Sequence, residues 1–272
     1  MKKFKSILLV LLVLTVCLSG CGKKAKPAEV ETTESEPVTT EATSDETNTT
    51  ETASAEAGPL ELLYKTSATF DSTNNIQRTT LDTQGYPISV YFEIPIFKEK
   101  TKGYEAINAF FEQLNTDFFT PDNELLRDAW EMATTTPQEN TKFLYVRNAS
   151  VTAKTEDYIS VNIAYDWWLG GVDDYGSDSY VFRTDTGELL GLTDVMNASE
   201  AEIKAMILAA LEKKDDGEGS IDFQSVEAFD LEDFQFQIVD GKIYIIFDKY
   251  EAAYGAYGGF DIELPAELKL SF

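Results

Sequence analysis

The chain has 272 residues, 43% hydrophobic and 26% charged, with 48 acidic against 22 basic residues and a net charge of −26. It has no histidine and only two cysteines, which excludes Ser-His-Asp and Cys-His catalysis and histidine-based zinc or iron sites, and leaves acid–base chemistry to Asp, Glu, Lys or Tyr. Such an acidic chain repels nucleic acid and anionic lipid and attracts cations and basic proteins, or simply stays soluble.

Met1 to Lys5 is a basic start, Ser6 to Ser19 is almost wholly apolar, and Leu18-Ser-Gly-Cys21 closes the run. This order predicts a secretory leader over residues 1–20, too short for a comfortable membrane span of about 20 residues. A cysteine after Leu-Ser-Gly resembles the lipobox of bacterial lipoproteins. That resemblance implies cleavage before Cys21, lipidation of its thiol, and a protein outside the cytoplasm that meets the membrane through its lipid anchor alone. Cys17 would leave with the leader, so the folded part has no thiol and no disulfide. Residues 21–58 follow as a Thr/Glu-rich linker without aromatics. Such a stretch cannot bury enough apolar surface to fold, and fully extended it reaches at most ~130 Å.

Residues 59–272 carry 16 basic and 39 acidic residues, a net −23, and have the texture of a folded region. Leu62–Phe70 alternates as a strand. Ile88–Ile96 alternates over a longer one, with Pro95 suggesting an edge or bulge. Tyr104, Ile107, Phe111, Leu114 and Phe118 form one helical stripe, and a second helix is expected from Pro121–Asp122 to about Thr134. Phe143–Lys154 and Tyr158–Trp168 read as a hairpin, and Gly176–Asp185 as the next strand. A helix near Glu200 buries Ile203, Met206, Ile207, Ala210 and Leu211. Phe234–Val239 and Lys242–Asp248 pair across Asp240–Gly241, a strong hairpin signal, and Phe260–Leu264 and Leu268–Leu270 are short extended pieces. Antiparallel strands with a few helices between them predict an α+β fold.

Two segments stand out as candidate contact surfaces. Trp167, Trp168, Asp173, Asp174 and Tyr175 surround Gly170–Gly171. Strand alternation puts the tryptophans on opposite faces, so one of them would be free to stack on a sugar or enter a partner's cleft. Tyr250, Tyr254 and Tyr257 lie among Gly255, Gly258 and Gly259, the composition of many recognition surfaces. Asp173, Asp174 and Asp178 supply oxygens of the kind calcium takes, without an EF-hand pattern, so no cofactor is expected. A carboxylate pair alone would suffice for a glycosidase, but no pair is singled out.

Four places in order resemble one extracytoplasmic family. They are Tyr86-Pro-Ile-Ser-Val90 with Ile107-Asn108-x-x-Phe111; Tyr165-Asp-Trp-Trp-Leu-Gly170-Gly171; Ser179-Tyr180-Val-Phe182 through Asp185-x-Gly187 to Leu192-Thr-Asp194; and Phe234 through Asp240-Gly241 and Tyr250 to Tyr257-Gly258. Over residues 60–270 the chain is similar to the ectodomain domains of the anti-sigma factor RsiV, which also precede the catalytic domain of PdaC-type peptidoglycan deacetylases. The resemblance implies a non-catalytic binding module at a Gram-positive surface, in two halves, 59–165 and 166–272. Its ligand would be lysozyme or another basic wall-acting protein, or alternatively peptidoglycan or another wall glycan; a carboxylate-only hydrolase is the third reading. The family continues Gly-Gly as Gly-Gly-Ala-His, whereas here Gly170–Gly171 runs into Val172-Asp173-Asp174.

Overall fold

A computed structural model describes residues 65–135, 142–215, 217, 219–265 and 267–269. The leader, Cys21, the linker, residues 62–64 of the first expected strand and Leu270 lie outside the described residues. The fold is α+β: a six-stranded mixed sheet, a three-stranded antiparallel sheet and five α-helices among the described residues. None of these helices is long and apolar enough to cross a membrane.

The large sheet runs β1 (Thr66–Asp71), β2 (Ile76–Leu81), β3 (Ile88–Pro95), β4 (Phe143–Lys154), β5 (Tyr158–Trp168) and β6 (Asp173–Arg183), in that spatial order. Every neighbouring pair is antiparallel except β3 and β4, which are parallel. A parallel pair needs a crossover; here it is α1 (Lys102–Phe118) and α2 (Glu124–Thr135). Thr101 caps α1, and Asn123 Oδ1 accepts the Leu126 N–H at the start of α2. Pro95 ends β3 beyond the stretch that pairs with β4, so its missing N–H interrupts no ladder there. It marks a local edge on an internal strand.

The alternation of β3 turns Ile88, Val90, Phe92 and Ile94 toward the helices. Ile107, Phe111 and Phe118 of α1 and Leu126, Ala129 and Trp130 of α2 cover them, with Phe143, Tyr145, Ile159, Val161, Ile163 and Phe182 completing this first core. The second core joins Tyr158 and Val181, on the opposite face, to α4 and the small sheet. After α3 (Leu192–Val195), α4 (Glu200–Lys214) buries Ile203, Ile207 and Leu211, and α5 (Phe223–Glu227) buries Val226. The small sheet is β7 (Gln235–Val239), β8 (Lys242–Phe247) and β9 (Phe260–Glu263). Asp240 and Gly241 both take positive φ, 49° and 76°, as a two-residue hairpin turn of this type requires.

β7 lies against β4, β5 and β6. A bulge near Thr152 in β4 turns that hydroxyl to Ser160 Oγ at 2.8 Å, and Ser160 Oγ accepts the Ile238 N–H at 2.9 Å. The expected boundary at 165/166 falls inside β5, and the two cores are divided by the faces of the sheet. Two further differences concern boundaries. β2 has too little apolar alternation to stand out as a strand, and β6 starts at Asp173, three residues before the expected Gly176. Asp173, Asp174 and Tyr175 are therefore paired strand residues opposite Trp168, Trp167 and Asp166.

Candidate functional site

The turn-proximal half of the β5–β6 hairpin meets the segment that follows β8. Asp248 Oδ1 accepts the Ser177 N–H at 3.0 Å, and its Oδ2 accepts the Tyr165 hydroxyl at 3.1 Å. Gly176 lies between them. A Cβ at that position would stand 2.4 Å from Asp248 Oδ1 and 2.5 Å from Tyr165 Oη, too close for any side chain. The missing side chain lets the tyrosine reach the carboxylate across β6. Farther along, Gln235 Oε1 accepts the Ser179 N–H at 3.1 Å. Two side chains from the small-sheet region thus occupy the outer edge of β6.

Register puts Arg147, Tyr165 and Gly176 side by side on one face of the sheet. Arg147 Nη2 is 3.1 Å from Asp178 Oδ2, and the guanidinium stands 5.5, 5.8 and 5.7 Å from the ring centres of Phe92, Phe118 and Tyr165. Burial alone would lower the pKa of Arg147, but Asp178 and the surrounding tyrosines outweigh it and raise it. Burial lifts the Asp248 carboxyl to about 6, and Asp178 and Asp174 push the same way. Burial also raises Asp174, whose Oδ1 is buried without a hydrogen-bond partner among the described residues. Tyr165 and Tyr180 are raised by the same cause, reinforced by nearby carboxylates.

Chemically, most of these groups are already engaged. Both oxygens of Asp248 hold the fold, and Asp178 is paired with Arg147. The calcium reading of Asp173, Asp174 and Asp178 lacks geometry: adjacent strand residues face opposite ways, and no group of three acids among the described residues is placed to hold a metal.

The aromatic residues divide differently from the expectation. Trp167 and Trp168 are both half-buried: Trp167 packs on the first core, and the Trp168 ring centre is 6.4 Å from that of Phe143. Tyr257 is also half-buried, 5.2 Å from the Phe260 ring. Within these two segments the exposed aromatics are Tyr175 at 46%, Tyr250 at 65% and Tyr254 at 69%. Tyr250 lies over Gly255, Tyr175 Oη reaches Gly258, and Lys249 Nζ sits 5.3 Å from the Tyr250 ring. The two segments singled out separately in the sequence therefore adjoin, with exposed Asp173 and half-buried Asp174 at the border. Arg147 and Asp248 carried no local sequence motif, and Tyr165 entered only as the first residue of the Tyr165-Asp-Trp-Trp-Leu-Gly170-Gly171 stretch. The usable signal was Gly176 within a strand, which marks a close approach by another group. A separate open groove of about 310 Å³ lies at the far end of the sheet, lined by Asn75, Pro95, Phe97 and Lys154 among others, and contains none of these residues.

No protein-family model matches the chain, and no curated protein matches it. Among solved structures, it is similar to two DUF3298 family proteins. One, from Bacteroides fragilis, is 12% identical with a TM-score of 0.44, over 74% of this chain and 87% of that one. The other, from Pseudomonas aeruginosa, is 12% identical with a TM-score of 0.47, over 74% and 89%.

Proposed function

We propose that this chain is a non-catalytic binding module of a bacterial surface, lipid-anchored through Cys21, whose contact surface is Tyr175, Tyr250 and Tyr254 bordered by Asp173 and Asp174. The observation that carries this reading is the meeting of exposed tyrosines from two distant segments beside acidic residues. Exposed, rigid aromatics supply the anchors that dominate protein interfaces. A net charge of −23 over residues 59–272 speeds encounter with a basic partner. The sequence likeness to the RsiV and PdaC ectodomain regions makes a lysozyme-type wall enzyme the first candidate. The engagement of Asp248 and Asp178 within the fold supports a role without turnover.

Calorimetric titration of residues 22–272 with lysozyme tests this, at low and at physiological salt, with cytochrome c as the equally basic control. Lysozyme-selective binding that persists at physiological salt, and that Tyr254→Ala or Tyr250→Ala weakens at least tenfold, is the expected result. Binding equal to that of cytochrome c would reduce the charge to a solubility coat and overturn the reading. Salt-insensitive binding to wall fragments alone would move the ligand to a glycan stacked on the same tyrosines.

A further inference from the structure

The two edges of the large sheet are treated differently. The β6 edge is occupied by Asp248 and Gln235, which take the outward Ser177 and Ser179 N–H groups. The β1 edge is open: all six of its residues are exposed, and β2 is its one strand neighbour among the described residues. Proteins usually guard such an edge with lysine, proline or a bulge. Thr66-Ser-Ala-Thr-Phe70 has none of these and carries no charge, and Phe70 is 50% exposed.

We infer that β1 is the contact through which two copies of this chain pair, antiparallel and centred on Ala68. The backbone geometry fits this register. The Asp82 N–H donates to the Lys65 carbonyl at 2.6 Å. In an antiparallel ladder the direction of the backbone groups alternates, so those of Lys65, Ser67, Thr69 and Asp71 face β2. Those of Thr66, Ala68 and Phe70 face outward. A two-fold axis at Ala68 then sets Ala68 against the partner's Ala68 and Thr66 against the partner's Phe70, each pair exchanging both backbone bonds.

The side chains fit the same register. Ser67 faces the partner's Thr69, a favourable cross-strand pair. Lys65 faces the partner's Asp71, and the two-fold repeats that ion pair at the other end. Asp71 is held in place for it by the Thr73 N–H at 2.8 Å and the Asn74 side-chain amide at 2.8 Å. Phe70, which Lys98 approaches to 5.8 Å on its own chain, gains cover from the partner's Thr66. A shift by one residue would lose both ion pairs and point backbone groups away from one another. Thr66 to Phe70 is uncharged and Lys65 balances Asp71, so two strongly acidic copies meet at a place where neither presents a run of acids.

Sedimentation of residues 22–272 over a wide concentration range, at physiological salt, reads the outcome. The expected result is a concentration-dependent dimer. Ala68→Pro removes an outward N–H that β2 does not use, and should give a monomer with unchanged far-UV circular dichroism and Tm. Ala68→Cys should form an interchain disulfide on mild oxidation, because directly bonded antiparallel partners lie about 5.5 Å apart at Cα, within disulfide reach. Residues 22–272 contain no other cysteine, and Ala164→Cys, exposed on β5, serves as the uncrosslinked control. A wild-type monomer at every concentration, or a dimer that survives Ala68→Pro, would overturn the inference. If Ala68→Pro does not fold, crosslinking at 68 no faster than at 164 overturns it instead.

Discussion

Asp248 does two things that one substitution can separate: it accepts two hydrogen bonds and it carries a buried charge. Its carboxyl, raised by burial to about 6, makes the folded state bind a proton that the unfolded state has released. Its contribution to stability is therefore fully present below the ordinary aspartate range and is lost as the pH rises through about 6. Asp248→Asn keeps an acceptor for the Ser177 N–H and removes the charge. From pH 4 to pH 8 the variant should gain ~1–2 kcal/mol relative to wild type, read by urea unfolding at several pH values. An equal pH dependence in both proteins would show that Asp248 does not titrate in that window. Glu99 and Glu263 act in the opposite sense. Lys154 and Lys242 hold their carboxyls below the usual range, so their contributions are present above that range and lost as the pH falls. Residue-scale roles of this kind were not legible in the sequence, because the partners of Asp248 lie 71 and 83 positions away.

At the scale of elements, the junction between the two sheets rests on Ser160. Its hydroxyl is wholly buried, and it is the acceptor for the Ile238 N–H of β7. Ser160→Ala leaves that N–H buried without its acceptor and should cost about 1–3 kcal/mol, measured by chemical denaturation; a cost below ~0.5 kcal/mol would mean that β7 shifts to find another partner. The elements themselves were largely readable. Period-two alternation located β3, the reading of Phe143–Lys154 and Tyr158–Trp168 as a hairpin located β4 and β5, the apolar stripes located α1 and α4, and Asp240-Gly241 located the β7–β8 hairpin. β2 was missed because Gln77, Arg78, Thr79 and Thr80 interrupt its apolar pattern. The early start of β6 was missed because Asp173 and Asp174 are poor strand formers, held there by pairing with Trp168 and Trp167. The tyrosine surface was legible in its two halves but not in their meeting, which depends on tertiary packing. That both tryptophans are half-buried was not legible, because strand alternation says nothing of the loops and helices that pack around a strand's end.

At the scale of the whole molecule, the described residues form two cores on opposite faces of one sheet, and β5 serves both: Ile159 and Val161 face the helices, while Tyr158 belongs with α4 and the small sheet. Neither core can lose its strand without exposing the other, so unfolding should be a single transition. The three tryptophans make the test simple. Trp130 and Trp167 pack in the first core and Trp168 lies beside Phe143, so indole fluorescence reports on one side while far-UV circular dichroism reports on both. The two probes should give coincident denaturation curves; a circular dichroism change that precedes the fluorescence change would mean that the second core opens alone.

The side chains that occupy the β6 edge have a consequence for the order in which the chain matures. Gln235 and Asp248 lie more than fifty residues downstream of the N–H groups that they take. A chain emerging amino-terminus first displays the β5–β6 hairpin well before its guards arrive. During that interval the Ser177 and Ser179 N–H groups stand without the acceptors that close this border in the finished fold, so both borders of the nascent sheet are open.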